Sequence, residues 1–258
     1  MRVKRIAVVL LLSLAILGVG WGLVRTSAPP ENEQEILASV AITHNDLARR
    51  QEAADRLTNQ AQLAEVIKHA TRPEDKPMRE QAVKKLTDQA LLAEIAKSDY
   101  DWPMRHAAIQ NLTDQALLAD VAINTDDDVT GLSAAQKLTD QTWIAEVARK
   151  ATKDPSALLT RQWAVSMLTD QAVLADVAKN DPDVGIAWQA VLFLTDEALL
   201  ANVAQTADDP SVRHDALRRL TDEAVLADIA KNDAAPDVRQ AAEKRLMELQ
   251  AESPSHHQ

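Results

Sequence analysis

One motif returns eight times along the 258 residues, and its spacing restricts the chain to a stack of similar units. Its anchoring leucines are Leu57, Leu86, Leu112, Leu138, Leu168, Leu194, Leu220 and Leu246, at steps of 29, 26, 26, 30, 26, 26 and 26 residues. Most copies are variants of Leu112-Thr113-Asp114-Gln115-Ala116-Leu117-Leu118-Ala119-Asp120-Val121-Ala122. A fixed period of this length marks supersecondary units too small to bury their own apolar faces. Burial therefore needs the neighbouring copy, and an array built this way supplies surface before it supplies an active site.

Counted from each leucine as position zero, apolar residues before it fall at −8, −4, −3 and 0, a helical spacing. Position −4 is alanine in every copy: Ala53, Ala82, Ala108, Ala134, Ala164, Ala190, Ala216 and Ala242. A methyl group held at one place implies helices in close approach. After the leucine, a second apolar face runs through Ala, Leu, Val and Ala. The Thr-Asp pair between the two segments is suited to cap the second helix, and the following Gln suits the helix dipole. Each unit thus reads as helix A, a capped corner and helix B. Residues 33–42 read as an unpaired B helix that opens the stack, and 241–252 as an unpaired A helix that closes it. With 5 glycines and no β-branched alternation, the expected class is all-α. The expected architecture is a right-handed α–α superhelix of about eight 26–30-residue units, preceded by one hydrophobic helix.

The acidic or proline-bearing turn, apolar-Arg pair, Ala and Leu of Asp209-Pro210-Ser211-Val212-Arg213, Ala216 and Leu220 recur at Asp237-Val238-Arg239, Ala242 and Leu246. This pattern resembles HEAT-like α-solenoids and the shorter leucine-rich-repeat-variant proteins, over roughly residues 33–250. The resemblance implies a binding scaffold, an adaptor or an accessory of the solenoid lyase kind. The variant proteins' cysteine-bound iron–sulfur module has no counterpart here, because the chain has no cysteine. No cofactor is expected.

Charge is divided unevenly. Of 28 basic and 39 acidic side chains, residues 1–30 hold Arg2, Lys4, Arg5 and Arg25 and no acid, so residues 31–258 carry a net charge of −15. Such a body argues against nucleic-acid phosphate and anionic lipid headgroups as ligands. Residues 6–24 are uncharged, with Ser13 the only polar side chain, and nineteen helical residues span about 28 Å, near the thickness of a bilayer core. Residues 1–25 are therefore read as a signal anchor or a signal peptide, 26–32 as a linker, 33–252 as the repeat domain and 253–258 as a tail. The basic lead keeps the amino terminus cytoplasmic and sends the body to the outer, periplasmic side, tethered or secreted.

Two polar rows run through the copies. Arginine recurs at −7 (Arg50, Arg79, Arg105, Arg161, Arg213, Arg239), and a carboxylate at +8 (Glu65, Glu94, Asp120, Glu146, Asp176, Asp228). Both are expected to cross-link neighbouring units. Cations ending the A helices fit helix C-termini. Asp126-Asp127-Asp128 lacks the alternation of a calcium loop. No catalytic, cofactor or metal residues are assigned.

The central copies depart from the rest. At positions expected to face solvent (−6, −5, −2 and −1), most carry polar residues, whereas these carry Trp163, Met167, Trp188, Leu192 and Phe193. Two readings stay open: a surface for a protein partner or self-association, or a site covered by the inserted Ala157-Leu158-Leu159. The expected function is a non-catalytic, membrane-tethered scaffold; the alternative is an enzyme or enzyme accessory of the solenoid lyase kind.

Overall fold

The computed structural model describes residues 31–150 and 157–252, which form sixteen α-helices with no strand among them. The first eight are α1 (Glu31–Thr43), α2 (Leu47–Asp55), α3 (Gln60–His69), α4 (Lys76–Lys85), α5 (Gln89–Ser98), α6 (Trp102–Asn111), α7 (Gln115–Asn124) and α8 (Asp128–Ala135). They continue as α9 (Gln141–Lys150), α10 (Leu158–Met167), α11 (Gln171–Asn180), α12 (Val184–Phe193), α13 (Glu197–Thr206), α14 (Pro210–Leu217), α15 (Glu223–Asn232) and α16 (Pro236–Glu252). The apolar span 6–24 and the tail 253–258 lie outside the described residues; within them, no helix is long and apolar enough to cross a membrane.

Every odd-numbered helix folds back on the even-numbered helix that follows it. Successive hairpins then stack, odd helix on odd and even on even, giving two layers. This corrects the expected frame. The pairing partner of a B helix is the next A helix, so α1 and α16 belong to complete hairpins and, among the described residues, neither end of the stack carries an unpaired helix. The first helix also takes in Glu31 and Asn32, which the linker reading excluded. A repeat period has no phase of its own, and the apolar faces that meet decide which helices pair. Leu92, Ala93, Ile95 and Ala96 of α5, for example, are buried together with Met104, Ala108 and Ile109 of α6. All eight alanines at −4 are buried, as the close-approach argument requires. The leucines from Leu57 to Leu220 are buried in the corners between hairpins, and Leu246 is half-buried at the end of the stack.

Aspartates cap the odd helices as expected: Asp88, Asp114, Asp196 and Asp222 accept bonds from the N–H of Leu91, Leu117, Leu199 and Ala224. The threonine beside them does not cap. Its N–H and hydroxyl donate to a glutamine of the preceding hairpin, and the aspartate N–H donates to the same oxygen. Gln89 Oε1 accepts from Thr113 N at 2.7 Å, Thr113 Oγ1 at 3.2 Å and Asp114 N at 3.1 Å. Gln34, Gln60, Gln115, Gln141 and Gln171 bind Thr58, Thr87, Thr139, Thr169 and Thr195 alike, and Glu197 takes this role toward Thr221. The glutamine is therefore a latch between hairpins, and its place in the first turn of a helix is secondary.

The arginines at −7 also join hairpins. Five of the six reach an acid in the next hairpin's turn, not the carboxylate at +8, and Arg239, in the last hairpin, bonds the carbonyls of Asp233 and Ala234. Arg79 Nη2 binds both oxygens of Asp99 at 2.7 Å, with both side chains 2% exposed. Arg50 binds Asp75, Arg105 binds Asp127, Arg161 binds Asp181 and Arg213 binds Asp233. The carboxylates at +8 form a separate, exposed row, in which Lys68 meets Glu94, Lys97 meets Asp120 and Arg149 meets Asp176. Where arginine is absent at Gly131, a Cβ would lie 2.9 Å from Thr160 Oγ1, and Thr160 bonds Asp128 instead.

Two outcomes follow from this frame. Residues 195–220 comprise one hairpin, α13–α14, and deleting them joins Leu194 to Thr221, which restores the Leu-Thr-Asp corner and offers Thr221 to Gln171. The shortened chain should keep its helical circular dichroism and melt cooperatively; a chain that loses its helicity contradicts the frame. The second concerns Asp233, whose carboxyl is held below its usual pKa by the hydrogen bond from Arg213. A depressed folded pKa contributes stability above the unfolded value and loses it as pH falls through the folded one. Asp233→Asn should cost about 3 kcal/mol at pH 7, because Arg213 is left buried and unpaired. In urea titrations the gap between variant and wild type should narrow below about pH 4.

Candidate interaction surface

The five departing residues share α10 and α12, neighbours in the even-numbered layer. Met167, Trp188, Leu192 and Phe193 are exposed by 45, 46, 46 and 42%. On α12, Val184, Trp188 and Leu192 follow at four-residue intervals, so they form one exposed stripe, while Ile186, Ala187, Ala190 and Val191 are buried on the other side. The helix is apolar on both faces.

Trp163 differs from the other four. It is half-buried and packs against the core. So are Ala107, Ser133, Gln189, Asp215 and Ala241 at the same repeat position, whereas Glu52 and Gln81 in the first two copies are exposed, so its half-burial is shared by most copies. Position −5 was expected to face solvent, and it does so at Glu52 and Gln81; in the other six copies it is half-buried, and Gln189 Nε2 donates to the Gln162 carbonyl of the preceding even helix at 2.9 Å. The inserted segment splits: Ala157 is buried, Leu158 packs on the core, and Leu159 is itself 49% exposed.

Position −1 also points back along the layer, where it donates to the C-terminal carbonyls of the preceding even helix. Lys137 Nζ binds the carbonyls of Ile109, Gln110 and Leu112 at 2.7, 2.7 and 2.6 Å. Burial pulls this ammonium below its usual pKa. Lys85 binds Ala54 O and Asp55 O, Asn111 binds Val83 O, Arg219 binds Val191 O and Arg245 binds Leu220 O. Lys85, Lys137 and Arg219 stand at or just past the ends of their own helices as expected, but their hydrogen bonds, like that of Arg245 within α16, go to the carbonyls of the neighbour. At this position the patch carries Met167 and Phe193, which have nothing to donate. Among the described residues, no side chain donates to the corresponding carbonyls of α8 (Ala135, Gln136, Leu138) or α10 (Val165, Ser166, Leu168).

Elsewhere, the polar groups are occupied by structural work. Asp127 accepts from Arg105 and Thr130, and Asp128 from Leu159 and Thr160, so the triple aspartate serves caps and cross-links. No cluster of potential metal ligands occurs among the described residues. A groove of about 600 Å³ opens between α7 and α9, beside Ile123 and Trp143. Its ionisable groups are already paired: Asp120 with Lys97, Glu146 with Lys150, and Arg149 with Asp176. The sequence reading missed a second exposed aromatic pair, Tyr100 and Trp102 in the turn into α6. Trp102 stacks on His106 with ring centroids 5.1 Å apart, and Arg79 lies 4.7 Å from the Tyr100 ring. The internal consensus gives no signal there, since turn residues vary between copies. No known protein family matches the chain, and comparison with curated proteins finds no relative.

Because the patch residues are roughly half in water, Trp188→Gln combined with Phe193→Lys should shift the melting temperature by no more than about 2 °C. A loss of several degrees in a thermal melt would mean that these side chains are covered within the chain.

Proposed function

We propose that the chain is a non-catalytic binding scaffold that takes a protein partner on the even-numbered layer at α10 and α12. One observation carries this reading. Large apolar side chains stand exposed at positions that are polar in most sister hairpins, on a helix already buried through its opposite face. Fully burying such a side chain is worth roughly 1.5–3 kcal/mol, and several lie within one surface. Aromatic anchors of this kind are common in interface cores. In our reading the stack is a right-handed superhelix of the HEAT-like or leucine-rich-repeat-variant kind, held at the outer face of the cytoplasmic membrane by residues 6–24. The solenoid-lyase alternative calls for free ionisable groups in a groove, and those beside Trp143 are tied into ion pairs.

Site-specific photo-crosslinking in the native host tests this function. A photoreactive residue at position 188 should give a discrete adduct, and one at His214, the equivalent position on α14, should not. Adding Leu192→Asp should abolish the adduct. Equal labelling at both positions, or none at 188, refutes the proposed surface.

A further inference from the structure

The carbonyl ends of α8 and α10 beside the patch, which receive no donor from position −1, define its occupant. In five hairpins the residue at −1 donates to the C-terminal carbonyls of the preceding even helix: Lys85, Asn111, Lys137, Arg219 and Arg245. At the ends of α8 and α10 that donor is replaced by Met167 and Phe193. A helix C-terminus carries about half a negative charge, and its last carbonyls have no partner within the helix. The surface therefore combines exposed apolar side chains with two neighbouring helix ends that, among the described residues, lack the donor at −1, on a body of net charge −15. A membrane rich in anionic lipid would be repelled by this body. A second copy docked face to face offers no free cation, because α12 has no charged residue and the only cation of α10, Arg161, is held by Asp181.

We propose that this face holds an apolar segment of a partner protein that carries two lysine or arginine side chains about 10 Å apart, one at the carbonyl end of α8 and one at that of α10. The spacing follows from the packing distance of adjacent helices. On a partner helix it corresponds to residues seven apart, about 10.5 Å along the axis. The cations take the positions that Lys137 and Arg219 occupy elsewhere in the stack, and the apolar residues between them cover Trp188, Leu192 and Phe193.

The inference rests on the proposed function and is tested separately from it. Fluorescence anisotropy would measure binding of the purified full chain to two labelled helical peptides of about 18 residues. Both present a Leu/Trp face; one carries two lysines seven residues apart, and the other carries glutamine at those places. The lysine peptide should bind at least about tenfold more tightly. In Met167→Asn/Phe193→Asn that ratio should fall close to one, because asparagine supplies the donor without adding charge, as Asn111 does in its own hairpin. Circular dichroism of the double variant checks that it is folded. If both peptides bind equally, the cation requirement is wrong and apolar docking stands. A lysine preference undiminished in the double variant assigns the effect to the general acidity of the body and overturns the proposal. Binding of neither peptide overturns both the proposal and the docking surface.

Discussion

Each hairpin carries charges and donors that have no partner within itself, and the whole stack depends on this. Arg50, Arg79, Arg161 and Arg213 are buried, and each finds its carboxylate on the turn of the next hairpin. Buried ion pairs are weak sources of net stability, because desolvation offsets much of the attraction. Breaking one, however, leaves a guanidinium buried without a counter-charge. A hairpin shifted against its neighbour would incur that cost together with the loss of the glutamine latch, so the two cross-links select one register from the many that Ala-rich and Leu-rich faces would otherwise permit. Stability is thereby distributed along the array, as expected when each unit touches only its neighbours.

Much of this was legible in the sequence, and the part that was not has a common cause. Periodicity located the helices, the buried alanines at −4 and the leucines of the corners, because these depend on faces within one repeat. It did not locate the hairpin frame, since any cut through a periodic pattern is equivalent until contacts select one. Partner assignment failed in the same way. The arginines at −7 and the acids at +8 share a period, yet Arg79 bonds Asp99 in a turn while Glu94 bonds Lys68. The glutamine of the latch was read as a dipole residue because its partner, such as Thr113 for Gln89, lies 24 residues on. Recurrence identifies a row; the row it bonds to depends on the stacking offset.

The departures from the internal pattern were legible for the opposite reason. Eight copies of one unit give each position its own set of controls, so Met167 and Phe193 stand out against Lys85, Lys137, Arg219 and Arg245 without reference to any other protein. What the sequence could not supply was the job those cations do. Position −1 looked like a solvent-facing cap for its own helix; the structure has it reaching back to the preceding one. Only that geometry turns a polar-to-apolar change into the loss of a donor at a defined place.

The location of the patch has a physical consequence as well. In a linear stack, the terminal hairpins are held on one side and fray first, whereas central hairpins are held on both. At the C-terminal end, Glu223 occupies the latch position, but Met247 stands where the other copies have threonine, no latch bond forms from Glu223 among the described residues, and Leu246 is only half-buried. By contrast α10 and α12 are flanked by complete hairpins, with the latches from Gln141 to Thr169 and from Gln171 to Thr195 closed beside them. A docking surface on these helices is ordered before any partner arrives, so little conformational entropy remains to be lost on binding. The same apolar residues on an end hairpin would bring the same area but on a mobile support, and part of the gain would be spent on fixing the support.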